Sequence, residues 1–86
     1  MSNGTDGDTV NIVNEQTEMD EEHRKQLAVK KKDEGNQHFK CQEYEKAIEL
    51  YTEAIDLDPD EPPFYTNRSI AYFKQEAYGY ARMYQP

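Results

Sequence analysis

The clearest pattern in the chain lies between Gly35 and Pro59. Apolar side chains fall at Tyr44, Ala47, Ile48, Tyr51, Ala54 and Ile55. Their offsets of 0, 3, 4, 7, 10 and 11 trace one stripe along an α-helix. Glu45, Lys46, Glu49 and Glu53 occupy the other faces. The spacing predicts a helix from Tyr44 to Asp56, stopped by Asp58-Pro59, since proline offers no N–H and disfavours helical geometry in the residue before it.

A second helical stretch precedes it, from Asp20 to about Cys41. Asp20, Glu21 and Glu22 suit the positive end of a helix dipole, and Asp20 is a good N-cap. Leu27, Gly35, His38 and Phe39 are its expected packing positions. A glycine inside a helix costs about 1 kcal/mol against alanine, so Gly35 implies close approach of a neighbouring helix. Gln42 and Glu43 make the turn between the two. After a loop at Asp58–Glu61, Pro62 and Pro63 open a third helix, where a missing N–H costs nothing. Tyr65, Ser69, Tyr72 and Phe73 form its expected inner stripe, and a turn at Glu76-Ala77 is expected to lead into a short helix over Tyr78–Tyr84. Residues 1–19 show no period and have only Val10, Ile12 and Val13 as aliphatic residues, so a disordered acidic tail is expected there.

The pattern repeats. Shifting the chain by 34 places Phe39 on Phe73, Lys40 on Lys74, Tyr44 on Tyr78 and Ala47 on Ala81. Gly35 then falls on Ser69. With this period, Gly35, Phe39, Tyr44, Ala47, Tyr51, Ala54 and Pro59 resemble a tetratricopeptide repeat, a helix–turn–helix unit of 34 residues. Lys31 and Glu34 stand where that pattern has a bulky aromatic and a leucine, so the first helix is more polar than usual. The resemblance implies an all-α fold with one complete repeat, about 28–61, and a partial one, about 62–86, together a module over 20–86. The run from Tyr65 to Tyr72, with Glu76-Ala77-Tyr78-Gly79-Tyr80-Ala81, is similar to the tetratricopeptide domains that precede a protein serine/threonine phosphatase. That phosphatase's metal-binding motifs are absent from this chain, so it is expected not to be an enzyme by itself.

Charge refines the picture. The formal net charge is −8, but it is distributed in blocks. Residues 1–22 carry seven acids and no base, residues 23–40 six bases and two acids. Residues 41–61 carry eight acids and one base, residues 62–86 three bases and one acid. This balance argues against nucleic acid as a partner. The basic block on the first helix suits an acidic peptide, or is a solvated helix face. Apolar runs are too short to span a membrane, so no membrane partner is expected. Cys41 is the only cysteine, which rules out an intrachain disulfide. The expected compartment is cytoplasmic, with the nucleus as a second. His23 and His38 have no other ligands at metal spacing, and no phosphate-binding or dinucleotide loop is present. No catalytic residue, metal site or cofactor is expected.

One constellation has specific chemistry. Lys32 and Asn36, four apart, share a face of the first helix. Asn67 lies at the corresponding level of the third. An ammonium and two amides suit a carboxylate, which takes charge from lysine and directed donors from asparagine. These positions resemble the carboxylate clamp of tetratricopeptide domains that bind chaperone tails. The resemblance implies that Lys32, Asn36 and Asn67 bind the free carboxylate of an acidic, EEVD-type C-terminus of heat-shock protein 90 or heat-shock protein 70 class chaperones. It also implies two further basic contacts from a third repeat, which this chain lacks. A generic repeat adaptor with another partner, a product that folds only in a longer chain, and self-association through the exposed repeat edge remain the alternatives.

Repeats of this kind are stabilised by stacking, and about three are usually needed. One complete repeat and part of another should therefore unfold in a broad, low transition by circular dichroism. A sharp transition above about 60 °C, the upper end for ordinary domains, would contradict this.

Overall fold

The computed structural model describes residues 20–84. The expected tail over residues 1–19 lies outside that range. Three helices account for nearly all of the described chain: α1 (Glu21–Lys40), α2 (Tyr44–Leu57) and α3 (Pro62–Met83). No strand occurs among the described residues. The all-α helix–turn–helix architecture read from the sequence is the one observed.

Local chemistry sets the helix ends. The Asp20 side chain accepts from the backbone N–H of His23 at 2.9 Å and caps α1, with Glu21 and Glu22 in its first turn. At the other end the N–H of Glu43 reaches the carbonyl of His38, and that of Gln42 reaches Phe39, both at 2.9 Å. This pair of bonds is a Schellman closure. It needs a left-handed residue, and Gln42 supplies it at φ 63°. His38 Nδ1 lies 2.6 Å from Glu43 Oε1, and the Phe39 and Tyr44 rings meet edge to face at 5.3 Å. The turn is thus held by backbone, side-chain polar and aromatic contacts together. Pro62 and Pro63 open α3 as expected.

α1 and α2 form a hairpin, and α3 packs on α2. The predicted stripe of α2 is the centre of the core: Ala47, Ile48, Tyr51, Ala54 and Ile55 are buried. Tyr44 is half-buried, and Leu50, which the stripe omitted, is buried too. Ala28, Ala54, Ile55 and Phe64 cluster at one end, Ala47, Ile48, Tyr51 and Ala71 at the other. Polar bonds fasten the layers. Arg24 Nε donates to the carbonyl of Leu57 at 3.0 Å, and Lys25 Nζ lies 3.7 Å from the buried Asp58 carboxylate. Arg68 donates to Thr52 Oγ1 at 3.2 Å.

At Gly35 the expected close approach is made by Tyr51. A Cβ there would lie 2.6 Å from Tyr51 Cε1 and 2.8 Å from Cδ1. The Tyr51 ring is itself only 2% exposed, so a Cβ at Gly35 would force a buried ring to shift.

Two expectations for the second repeat are corrected. The first is the turn at Glu76-Ala77: α3 runs straight through it to Met83. The devices that close the first turn have no counterparts. Tyr72 and Ala77 replace the His38–Glu43 pair, and alanine favours helix. Nor is there an apolar stripe to hold a returning helix, since Arg82 stands at the position of Ile48 and Gln85 at that of Tyr51. The second correction follows. Tyr65, Ser69, Tyr72 and Phe73 are not an inner stripe. They are exposed, Phe73 by 68%, because the helix that would cover them continues straight on. The contact with α2 uses Phe64, Asn67, Arg68 and Ala71, at offsets 0, 3, 4 and 7.

Gly35→Ala tests the central contact. Helix propensity alone would favour it by about 1 kcal/mol, whereas overpacking a filled site costs about 1–3 kcal/mol. The variant should lower the urea midpoint, with a net loss of about 1 kcal/mol.

Candidate carboxylate-binding site

The structure brings two of the three clamp residues into one place. Asn36 on α1 and Asn67 on α3 line the same cavity, of about 140 Å³, together with Phe39, Tyr51 and Ile70. Both side chains are half-buried. Lys32 does not line the cavity. It lies one turn before Asn36 on α1, and its Nζ is 2.9 Å from Asp33 Oδ1.

Tyr51 is the residue the sequence reading missed here. It was assigned to the core stripe, and its ring belongs there. Its hydroxyl also donates to Asn36 Oδ1. With the amide oxygen so engaged, the Asn36 amide nitrogen keeps its two N–H donors for a ligand. Burial pushes the Tyr51 phenol above its ordinary pKa, so the hydroxyl stays a donor at neutral pH. The signal was present in principle: Gly35 invites an aromatic ring, and the next residue then lies within reach of a tyrosine hydroxyl. Asn67 has no hydrogen-bonding partner among the described residues and can turn both donors to the cavity.

The surrounding charge is mixed. Lys31 Nζ lies 3.1 Å from Glu53 Oε1. That hydrogen bond and the Glu53 charge raise the Lys31 pKa, and exposure leaves the pair screened by solvent. Lys32 is paired with its own neighbour Asp33, a surface pair that contributes little and can exchange for another anion. The cavity floor is aromatic and aliphatic, through Phe39, Tyr51 and Ile70. The arrangement offers amide donors, a nearby ammonium and an apolar wall. That set can hold an anionic group joined to an aliphatic side chain.

Among the described residues no group of three or more His, Cys, Asp or Glu side chains is placed to hold a metal ion. No helix among them is long and apolar enough to cross a membrane. Cys41 is free and exposed.

The fold defines a class first: an antiparallel helical hairpin whose α2 receives the first helix of a following unit, with a cavity between their first helices. Comparison with known proteins specifies it. A family model described as TPR repeat matches residues 35–76. Serine/threonine-protein phosphatase 5 from Homo sapiens is 48% identical over 50 residues, which are 58% of this chain and 10% of that protein. RNA polymerase II-associated protein 3 from Rattus norvegicus is 38% identical over 76 residues, 85% of this chain and 12% of that protein. Small glutamine-rich tetratricopeptide repeat-containing protein beta from Rattus norvegicus is 47% identical over 47 residues, 55% of this chain and 16% of that protein. No solved structure matches the chain. The chain belongs to the tetratricopeptide repeat family, and its repeat is a protein–protein interaction module. It spans about a tenth to a sixth of the length of these relatives.

The raised Tyr51 pKa has a measurable consequence. Above about pH 10 an unfolded tyrosine loses its proton before the folded one does. The unfolded state then holds fewer protons, so stability present below pH 10 falls as pH rises towards the folded pKa. The urea midpoint should drop between pH 8 and pH 10.5, and Tyr51→Phe should drop less over the same interval while starting lower.

Proposed function

We propose that the chain binds the free C-terminal carboxylate of acidic, EEVD-type tails, as found on heat-shock protein 90 and heat-shock protein 70 class chaperones. The observation that supports this reading is the cavity that Asn36 and Asn67 share. The Tyr51 hydroxyl holds the Asn36 oxygen and leaves its N–H donors for the ligand. The ligand carboxylate sits between the two amides. Lys32 leaves Asp33 and supplies the charge. Phe39 and Ile70 form the wall for the ligand's last side chain.

The repeat bounds proposed with this reading are 28–61 and 62–86, within a module over 20–86. The described residues supply the amide pair and one lysine of the resembled clamp, and charge-assisted hydrogen bonds contribute roughly 1.5–3 kcal/mol each.

The similarity to serine/threonine-protein phosphatase 5 supports a phosphatase-linked setting, in which a longer protein would join this module to a catalytic domain. The module does no chemistry in that setting. Its proposed location is the cytoplasm, with the nucleus as a second.

An amide NMR titration tests the reading. The chain is titrated with an acidic pentapeptide ending in a free carboxylate, and in parallel with the same peptide amidated at its C-terminus. Saturable shifts around Asn36 and Asn67 are expected with the free acid only. Lys32→Ala and Asn67→Ala should each weaken binding by roughly tenfold, the effect of one such contact. A dispersed spectrum that neither peptide moves would sink the chaperone reading and leave a different partner.

A further inference from the structure

A row of side chains on α1 leads from the start of the helix to the cavity. Lys25, Val29, Lys32 and Asn36 fall at offsets 0, 4, 7 and 11, one face of the helix. The chemistry of the row is base, aliphatic, base, amide. Val29 is 46% exposed and packs into neither core cluster. Lys25 Nζ lies 3.9 Å from Glu21 and 3.7 Å from Asp58, and Lys32 Nζ lies 2.9 Å from Asp33. An ammonium has three N–H donors, so neither lysine is saturated by these contacts.

We propose that this row is the docking face for the chain's own segment from Asp8 to Met19, which sets the Asp8 carboxylate between Asn36 and Asn67 in competition with an external tail, a regulation that rests on the carboxylate-binding role given above. Charge and order both match. Residues 1–22 carry seven acids and no base, residues 23–40 six bases and two acids. Backwards from Asp20, the segment presents Glu15, then Val13 and Ile12, then Val10 and Asp8. Forwards from Asp20, the row presents Lys25, then Val29, then Lys32 and Asn36. Acid meets base and aliphatic meets aliphatic. Asp8 and Val10, two apart, share one side of an extended chain. They bring a carboxylate and an aliphatic group to a cavity lined by two amides and by Phe39 and Ile70.

Chain length permits the arrangement. Asn36 lies about 24 Å along α1 from Asp20, at about 1.5 Å per residue. The chain from Asp8 to Asp20 spans up to about 40 Å when extended, at about 3.3 Å per residue. Glu15 reaches about 16 Å on the same basis, past the level of Lys25 at about 8 Å. Covalent linkage makes the competition intramolecular. A short linker gives an effective concentration on the order of millimolar, so a segment with weak intrinsic affinity still lowers the affinity for an external tail.

Two measurements on the full chain test this. In the first, without ligand, Ile12→Cys carries a nitroxide, with the exposed Cys41 removed as Cys41→Ser. The label should broaden the amide signals of Val29 and Asn67 more than those of Phe73 and Met83, on the outer face of α3. Adding Asp8→Asn and Glu15→Gln should reduce that difference. In the second, the acidic pentapeptide with a free carboxylate should bind Asp8→Asn about threefold tighter than the wild type, the factor for a competitor of about 1 mM Kd at an effective concentration of about 2 mM. Asp6→Asn, which removes the same charge two residues away, should change the affinity less. Broadening that is uniform, or that the two substitutions leave as it was, overturns the proposal. So does broadening that arises only between a nitroxide-bearing chain and an isotope-labelled one, which would assign the segment to a second copy. An affinity that Asp8→Asn leaves unchanged, or that Asp6→Asn raises as much, overturns the competition. If the label result holds and the peptide binds neither chain, the carboxylate-binding role of the cavity fails and the segment's place on the row stands.

Discussion

The contact of the Tyr51 ring with the Gly35 backbone is the constraint on which the rest depends. A helical position without a Cβ lets the ring lie against α1, which sets the spacing of the hairpin. That spacing buries the alanines of both helices, Ala28, Ala47 and Ala54, which fill a core only where backbones are close. The same ring position carries the hydroxyl to Asn36. Core packing and the hydrogen bonding of the cavity thus share one side chain. Its ring serves the core and its oxygen serves the cavity, the division of labour that tyrosine allows and phenylalanine does not.

The second repeat shows what happens when that constraint is absent. Ser69 replaces Gly35, and Gln85 replaces Tyr51. A serine brings a Cβ into the contact, and a glutamine supplies no ring to fill it. Arg82 in place of Ile48 would bury an unpaired charge, which is costly in a low-dielectric core. The chain therefore has little to gain by turning at Ala77. Continuing α3 instead adds a backbone hydrogen bond per residue at small entropic cost once the helix is nucleated. Local propensity decides the outcome because tertiary reward is missing.

This explains what was legible in the sequence. The α2 stripe was readable because its residues are apolar on one face only, and burial follows periodicity where an element has neighbours on one side. The ends of α1 were readable from Asp20 and from the position of the Gln42-Glu43 turn. The stripe of α3 was misread because it was read from helical spacing, and Phe73 lacks the covering helix that Phe39 has. Sequence similarity at a repeat position predicts burial only if the residue opposite is also present. That Asn36 and Asn67 share a cavity was expected from the stacking of the first helices of successive repeats. The role of Tyr51 was not, since hydrophobic periodicity registers a tyrosine as bulk and is silent about its hydroxyl. The pairing of Lys32 with Asp33 was hidden for a related reason: neighbours in sequence do not share a helix face, but long side chains reach past that limit.

The two surfaces of α3 are geometrically separate. Successive helical residues are about 100° apart, so Asn67 points roughly half a turn away from the stripe through Tyr65, Tyr72 and Met83. A ligand at Asn67 therefore approaches from the α1 side of α3, and the exposed stripe faces away from the cavity.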